Sequence, residues 1–147
     1  MLTTALASIA LLPGLLTPTV AEVKQDTKLP LLLPTTLTAS KSGKLYGTGE
    51  GGQRLYTFRV SKEKDCTGAP CALATFSGSR DGKVYGERKA SLALGRKGRY
   101  TPLSCGASCS PPTITWKEGG VVYEISTNAT RAQLVRMANS AIKKGPR

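Results

Sequence analysis

Apolar positions along this chain follow three regimes. Leu2 to Leu16 form a low-polarity run without a charged side chain, Thr27 to Thr38 are rich in Pro, Leu and Thr, and from Lys44 onward short apolar alternations are separated by Gly-rich turns. Period-two alternation marks strands with one buried face. The third regime therefore predicts an antiparallel meander rather than alternating strands and helices.

Within it, Tyr56, Phe58 and Val60 share one face, with Gly49 to Gly52 read as the turn before them. Ala72, Ala74 and Phe76 repeat the period, and Asp81-Gly82 predicts a tight turn into Val84-Tyr85 and hence a hairpin. Ala90, Leu92 and Leu94 share another face, followed by a basic turn, Gly95-Arg96-Lys97-Gly98, and by Arg99-Tyr100-Thr101. The clearest hairpin joins Ile114 and Trp116 to Val121, Tyr123 and Ile125 through Glu118-Gly119-Gly120. One helix closes the chain. Thr130 and Gln133 form a Thr-x-x-Gln capping box, and Leu134, Met137, Ala138, Ala141 and Ile142 make one apolar stripe. Lys143 and Lys144 complement the helix dipole in the last turn before Gly145-Pro146. The expected fold class is α+β, an antiparallel β-meander sheet packed by one C-terminal α-helix and stapled by disulfides.

The leading run has the length of a signal-peptide core, and Thr19-Val20-Ala21 offers the small residues that cleavage requires. Pro13-Gly14 interrupts it, and it falls short of the ~20 apolar residues that span a bilayer. Residues 1–21 are read as a signal peptide whose missing basic start suggests truncation at the front. Residues 22–39 are read as an extended linker or arm, because Pro30 and Pro34 oppose a long regular element, although Leu31 to Leu33 could dock on the core. Residues 40–147 form the expected single α+β domain. The expected location is secreted or periplasmic, and with no Cys near the cleavage region the product is not a lipoprotein.

Four cysteines lie in two tight pairs, Cys66/Cys71 and Cys105/Cys109. In an oxidising compartment they read as disulfides, and the Gly and Pro residues between them permit local closure. Cross-pairing would close a longer loop and restrict the unfolded chain more. All three connectivities stay open. A four-thiolate zinc cage is the weaker reading, because four and three residues separate the paired thiols where zinc knuckles use two.

The formal net charge is +12, none of it contributed by the leader. A cationic surface attracts polyanions. The candidate polyanion-binding residues are Arg80, Lys83, Arg88, Lys89, Arg96, Lys97 and Arg99, with Tyr85 and Tyr100 nearby. The expected partner is an anionic envelope polymer or an anionic membrane surface. Nucleic acid is disfavoured, because stacking aromatics lack a recognisable order. The chain holds no histidine, which excludes Ser-His-Asp and Cys-His chemistry. Asp65, Asp81, Glu87, Glu118 and Glu124 remain as carboxylates, without a spacing that divides acid from base. Asn128-Ala-Thr130 matches a glycosylation acceptor but reads better as a helix cap.

Asp65-Cys66-Thr-Gly-Ala-Pro-Cys71, Cys105-Gly-Ala-Ser-Cys-Ser-Pro-Pro-Thr-Ile-Thr-Trp116 and Leu134-Val-Arg-Met-Ala-Asn-Ser-Ala-Ile142 resemble segments of small exported bacterial proteins of unknown function, notably cyanobacterial ones. The resemblance implies an exported, disulfide-bonded domain and carries no activity. Within it, Asn139 and Ser140 are expected on the solvent side of the helix. The expected function is a non-catalytic cationic envelope or periplasmic binding module. The alternatives are a small carboxylate-dependent hydrolase and an accessory subunit of a membrane complex presenting an apolar patch that includes Leu31 to Leu33. No catalytic residue, metal ligand or cofactor is assigned.

Overall fold

The alternating segments pair into one antiparallel sheet in the computed structural model, which describes residues 8–39 and 44–147. Residues 1–7, the start of the expected signal peptide, and residues 40–43, including Ser40 at the expected domain boundary, lie outside the described residues. The sheet's strands are β3 (Tyr46–Gly51), β4 (Leu55–Ser61), β5 (Ala72–Ser79), β6 (Arg88–Ser91), β7 (Lys97–Thr101), β10 (Thr113–Glu118) and β11 (Val121–Thr127). Their order is β3-β4-β5-β11-β10-β7-β6. Two further two-stranded pairs join β1 (Ser8–Leu11) to β2 (Thr36–Ala39) and β8 (Ser104–Cys105) to β9 (Cys109–Ser110). Helix α2 (Arg131–Lys144) closes the chain with the expected Thr130–Gln133 capping box and packs on β10 and β11.

Register places the buried rings on one face, while Tyr46 of β3 points to the other. Phe58 lies opposite Phe76, Phe76 opposite Ile125, Ile125 opposite Ile114 and Ile114 opposite Tyr100. In the adjacent row Tyr56 lies opposite Gly78, and Tyr123 between Gly78 and Trp116. The absent Cβ of Gly78 seats the Tyr56 ring, since a methyl there would meet Tyr56 Cε1 at 2.5 Å. Trp116 stacks on Tyr123 at 5.6 Å between ring centroids. Gly119 and Gly120 carry the β10–β11 turn with φ of 58° and 76°, the left-handed pair that a two-residue hairpin loop favours.

Several local expectations are corrected, among them the face that Ala90, Leu92 and Leu94 were to share: β6 ends at Ser91 and Leu94 is exposed in the turn that follows. Asp81-Gly82 does not make a hairpin: both sides of β5 are already occupied, by β4 and by β11, so the chain has no free edge to pair with. Residues 80–87 instead cross the outer face of the sheet to its far edge at β6. Gly49 to Gly51 are not a turn but belong to β3, whose pairing with β4 is regular. The helix of the C-terminus is joined by a second, α1 (Leu12–Asp26), which spans the expected cleavage residues Thr19-Val20-Ala21.

Helix α1 lies on β3 because that strand presents only glycine toward it. Gly47, Gly49 and Gly51 leave a smooth face on which Leu16 and Val23 are buried. A Cβ at Gly49 would stand 2.8 Å from Thr19 Cγ2, 2.9 Å from Phe58 Cδ1 and 3.0 Å from Val23 Cγ2. Between the two helices runs the arm. The expected arm begins in helix, since Glu22 to Asp26 belong to α1; from Thr27 it is extended, and Leu29, Leu31, Leu32, Leu33 and Leu37 join the core at 5% exposure or less. They therefore form no exposed apolar patch.

Burial of an irregular segment requires partners for its backbone groups. The Tyr56 hydroxyl accepts from Leu32 N (3.1 Å) and donates to Leu32 O (3.4 Å), and the Tyr123 hydroxyl donates to Pro30 O (3.0 Å). Thr35 N donates to Ser140 Oγ, and Arg147 donates from its backbone to Leu31 O and from its side chain to Leu33 O. Pro30 and Pro34 bring no N–H to satisfy. Asn139 and Ser140, expected to face solvent, are thus ties: Asn139 Oδ1 accepts from Ala93 N at 2.7 Å.

The Gly49→Val substitution is expected to lower stability by about 1–3 kcal/mol through overpacking, read as a drop in the urea midpoint. Gly106→Ala, which meets no atom within 4 Å, should leave the midpoint unchanged. Tyr56→Phe orphans buried groups of Leu32 and should cost about 1–3 kcal/mol in the same assay.

Candidate polyanion interface

The edge hairpin β6–β7 gathers part of the basic set. Lys89 lies directly opposite Arg99, and Ser91 opposite Lys97, so these four side chains share the outer face of the ribbon. Like charges placed opposite each other repel, and an anion placed between them relieves that repulsion. Lys89, Lys97 and Arg99 line an open cleft of about 620 Å³ with Val84, Ser91 and Arg131. Its lining contains no carboxylate.

The other candidates lie elsewhere. Arg88 falls on the opposite face of β6, in register with Tyr100. Arg96 donates to Glu118 Oε1 at 2.8 Å and to Leu94 O at 2.9 Å, so its charge is matched by the end of β10. Arg80 and Lys83 are exposed on the crossover. Tyr100 is buried and Tyr85 is half exposed, so the two rings do not form one stacking platform.

Arg131 was not anticipated from the sequence. A cation in the first turn of a helix opposes the macrodipole, which is a signal that tertiary contacts hold it there. Its guanidinium donates to Lys89 O at 2.5 Å and lies 5.9 Å from the Tyr100 ring centroid. It thereby ties α2 to the basic edge.

The crossover forms the cleft's inner wall. Tyr85 N donates to Thr115 Oγ1 (3.1 Å), Thr115 Oγ1 donates to Tyr85 O (2.8 Å), and Arg99 Nη1 donates to Gly86 O (3.3 Å). Gly86, at φ 147°, allows that approach, since a Cβ would meet Arg99 Cβ at 2.8 Å. Beneath Tyr85 lies Glu124. Burial pushes its carboxyl above the ordinary range, and the Tyr85 hydroxyl partly offsets this. Burial, together with the neighbouring Glu124 charge, pushes Tyr85 up to about 12.

The remaining carboxylates are dispersed. Asp81 accepts two bonds from Arg54 at 2.7 Å, which hold its pKa below the ordinary carboxylate value. Asp65 and Glu87 are exposed, and Glu118 is held by Arg96. Among the described residues no three His, Cys, Asp or Glu side chains gather as metal ligands would. All four cysteines are disulfide-bonded within their local pairs, Cys66–Cys71 and Cys105–Cys109, which removes the thiolate cage. The first closes the β4–β5 connection; the second closes the β8–β9 finger between β7 and β10. Asn128 is exposed just ahead of the Thr130 cap. Comparison with family models, with curated proteins and with solved structures finds no match.

A carboxyl whose folded pKa is raised binds its proton more tightly when folded, so its contribution to stability is full below the unfolded pKa and is lost as pH rises through the folded one. Glu124→Gln should therefore be more stable than the parent chain at pH 7. The difference should vanish below the ordinary carboxylate range, as read from denaturant midpoints at both pH values.

Proposed function

We propose that this protein is an exported, non-catalytic binding module that takes an anionic partner on its β6–β7 edge. The observation that carries the reading is the cleft in which Lys89, Lys97, Arg99 and Arg131 converge without a carboxylate in its lining. Structural cations are normally balanced nearby, as Arg54, Arg59 and Arg96 are by Asp81, Glu50 and Glu118. In the cleft Lys89, Lys97 and Arg131 are exposed beside the half-buried Arg99, and none of them has an acidic partner there, so a multivalent anion is drawn in and added salt weakens it.

Export is supported by the apolar leader and by the two disulfides, which persist in oxidising compartments. Cleavage after Ala21 would remove Leu16 from its seat on Gly47 while leaving Val23 at Gly49. An intact mass of the protein recovered from the exported fraction, with and without reductant, reads the mature start and the staples together.

Each Lys or Arg close to an anionic surface contributes roughly 1 kcal/mol of attraction. The double variant Lys89→Glu/Lys97→Glu should elute from an anionic resin at clearly lower salt than the parent, with affinity at low salt down by roughly tenfold or more. Lys62→Glu/Lys64→Glu, with the same net charge but reversed on the exposed β4–β5 connection, is the control. Equal losses in the two variants would show that total charge, and not the edge, governs binding.

A further inference from the structure

The turn between β6 and β7 holds an apolar side chain away from the protein. Leu94 is 65% exposed and takes φ 53°, ψ 35°, the left-handed conformation that bulky residues avoid. The next residue, Gly95 (φ 72°), could carry such a backbone without strain, as could glycine at position 94 itself. The surroundings enforce this geometry. Leu92 N donates to Arg96 O (2.8 Å), Arg96 N to Ala93 O (3.1 Å), Arg96 Nη1 to Leu94 O (2.9 Å), and Ala93 N to Asn139 Oδ1 of α2 (2.7 Å). The turn is thus clamped from the helix and from its own arginine, with a leucine at its tip.

Two lysines stand on the elements that meet at this turn. Lys97 opens β7 beside it, and Lys143 lies one helical turn beyond Asn139 on the same side of α2. Glu118, the neighbouring acid, is occupied by Arg96. A soluble polyanion would gain from the lysines and nothing from the leucine. A lipid surface gains from both, since headgroups meet the cations while the apolar side chain enters the acyl boundary. No helix among the described residues is long and apolar enough to cross a membrane, so the contact is peripheral.

We infer that the β6–β7 turn is a membrane-contacting tip, in which Leu94 inserts into an anionic bilayer surface while Lys97 and Lys143 engage phosphate headgroups. The inference rests on the proposed anionic-partner reading and narrows the partner to lipid.

The test is co-sedimentation of the full chain with vesicles of phosphatidylcholine containing about one-third phosphatidylglycerol, beside retention on soluble polyphosphate. Leu94→Ser should weaken vesicle binding by ~tenfold and leave polyphosphate binding unchanged. Leu94→Gly should also weaken it while raising the melting temperature, because it relieves the left-handed strain. Those opposite movements separate a membrane role from a structural one. Vesicle binding unaffected by either variant would overturn the lipid inference and leave the anionic-partner reading standing. Binding of the parent to polyphosphate without vesicles would do the same and identify a polymer. Binding to neither would overturn both.

Discussion

The Tyr56 hydroxyl, engaged with both the N–H and the C=O of Leu32, is the contact on which the arrangement of this molecule depends. A seven-stranded sheet with rings on one face needs a cover, and α2 reaches only part of it. The middle is sealed by a proline-rich arm that has no helix or sheet of its own over residues 28–34 to satisfy its backbone. Hydroxyls from β4 and β11, the side chain of Ser140 and the groups of Arg147 supply those partners. The leucines can then be buried without stranding the polar groups between them.

Covering that face leaves the other to polar chemistry. On the outer face the crossover after β5 runs to the far edge because no pairing edge of β5 is free, and in doing so it roofs Glu124 and walls the basic cleft. The candidate interface is therefore a by-product of topology. β6 is delivered to the rim of the sheet, where Lys89 and Arg99 face each other and Arg131 of α2 closes from beside them. The same hairpin carries Leu94 at its turn, so the proposed lipid contact and the cationic edge are held by one clamp between Asn139, Arg96 and Glu118.

The disulfides act locally. Each closes a short connection, so neither bridges the sheet to its cover, and short loops restrict the unfolded chain less than cross-pairing would. Cys66 is nevertheless buried, and its carbonyl accepts from Thr48 Oγ1 at 2.8 Å, which fastens the β4–β5 connection to β3. The Cys105–Cys109 finger is exposed throughout. Cohesion between sheet and cover comes from apolar burial and from the hydroxyl contacts of the arm.

Features that depend on neighbours in the chain were legible in the amino-acid sequence alone. The α+β class, the strand around Tyr56, the Gly119-Gly120 hairpin, the Thr130 cap and the Lys143-Lys144 helix end all follow from periodicity, turn chemistry or capping, each set within a few residues. Local closure of the cysteine pairs was among the open alternatives. Features that depend on what the chain meets from far away were decided by tertiary structure. Gly49 to Gly52 read as a turn until β3 is paired with β4 and α1 is laid against it; Asp81-Gly82 reads as a hairpin until β11 takes the place beside β5. Asn139 and Ser140 read as surface until the arm and the β6–β7 edge reach them, and Arg131 carries no sequence signal of its place beside that edge. The basic residues could be named from sequence, but not sorted into those that converge and those matched elsewhere, because a strand's register and its place in the sheet are set by partners tens of residues distant.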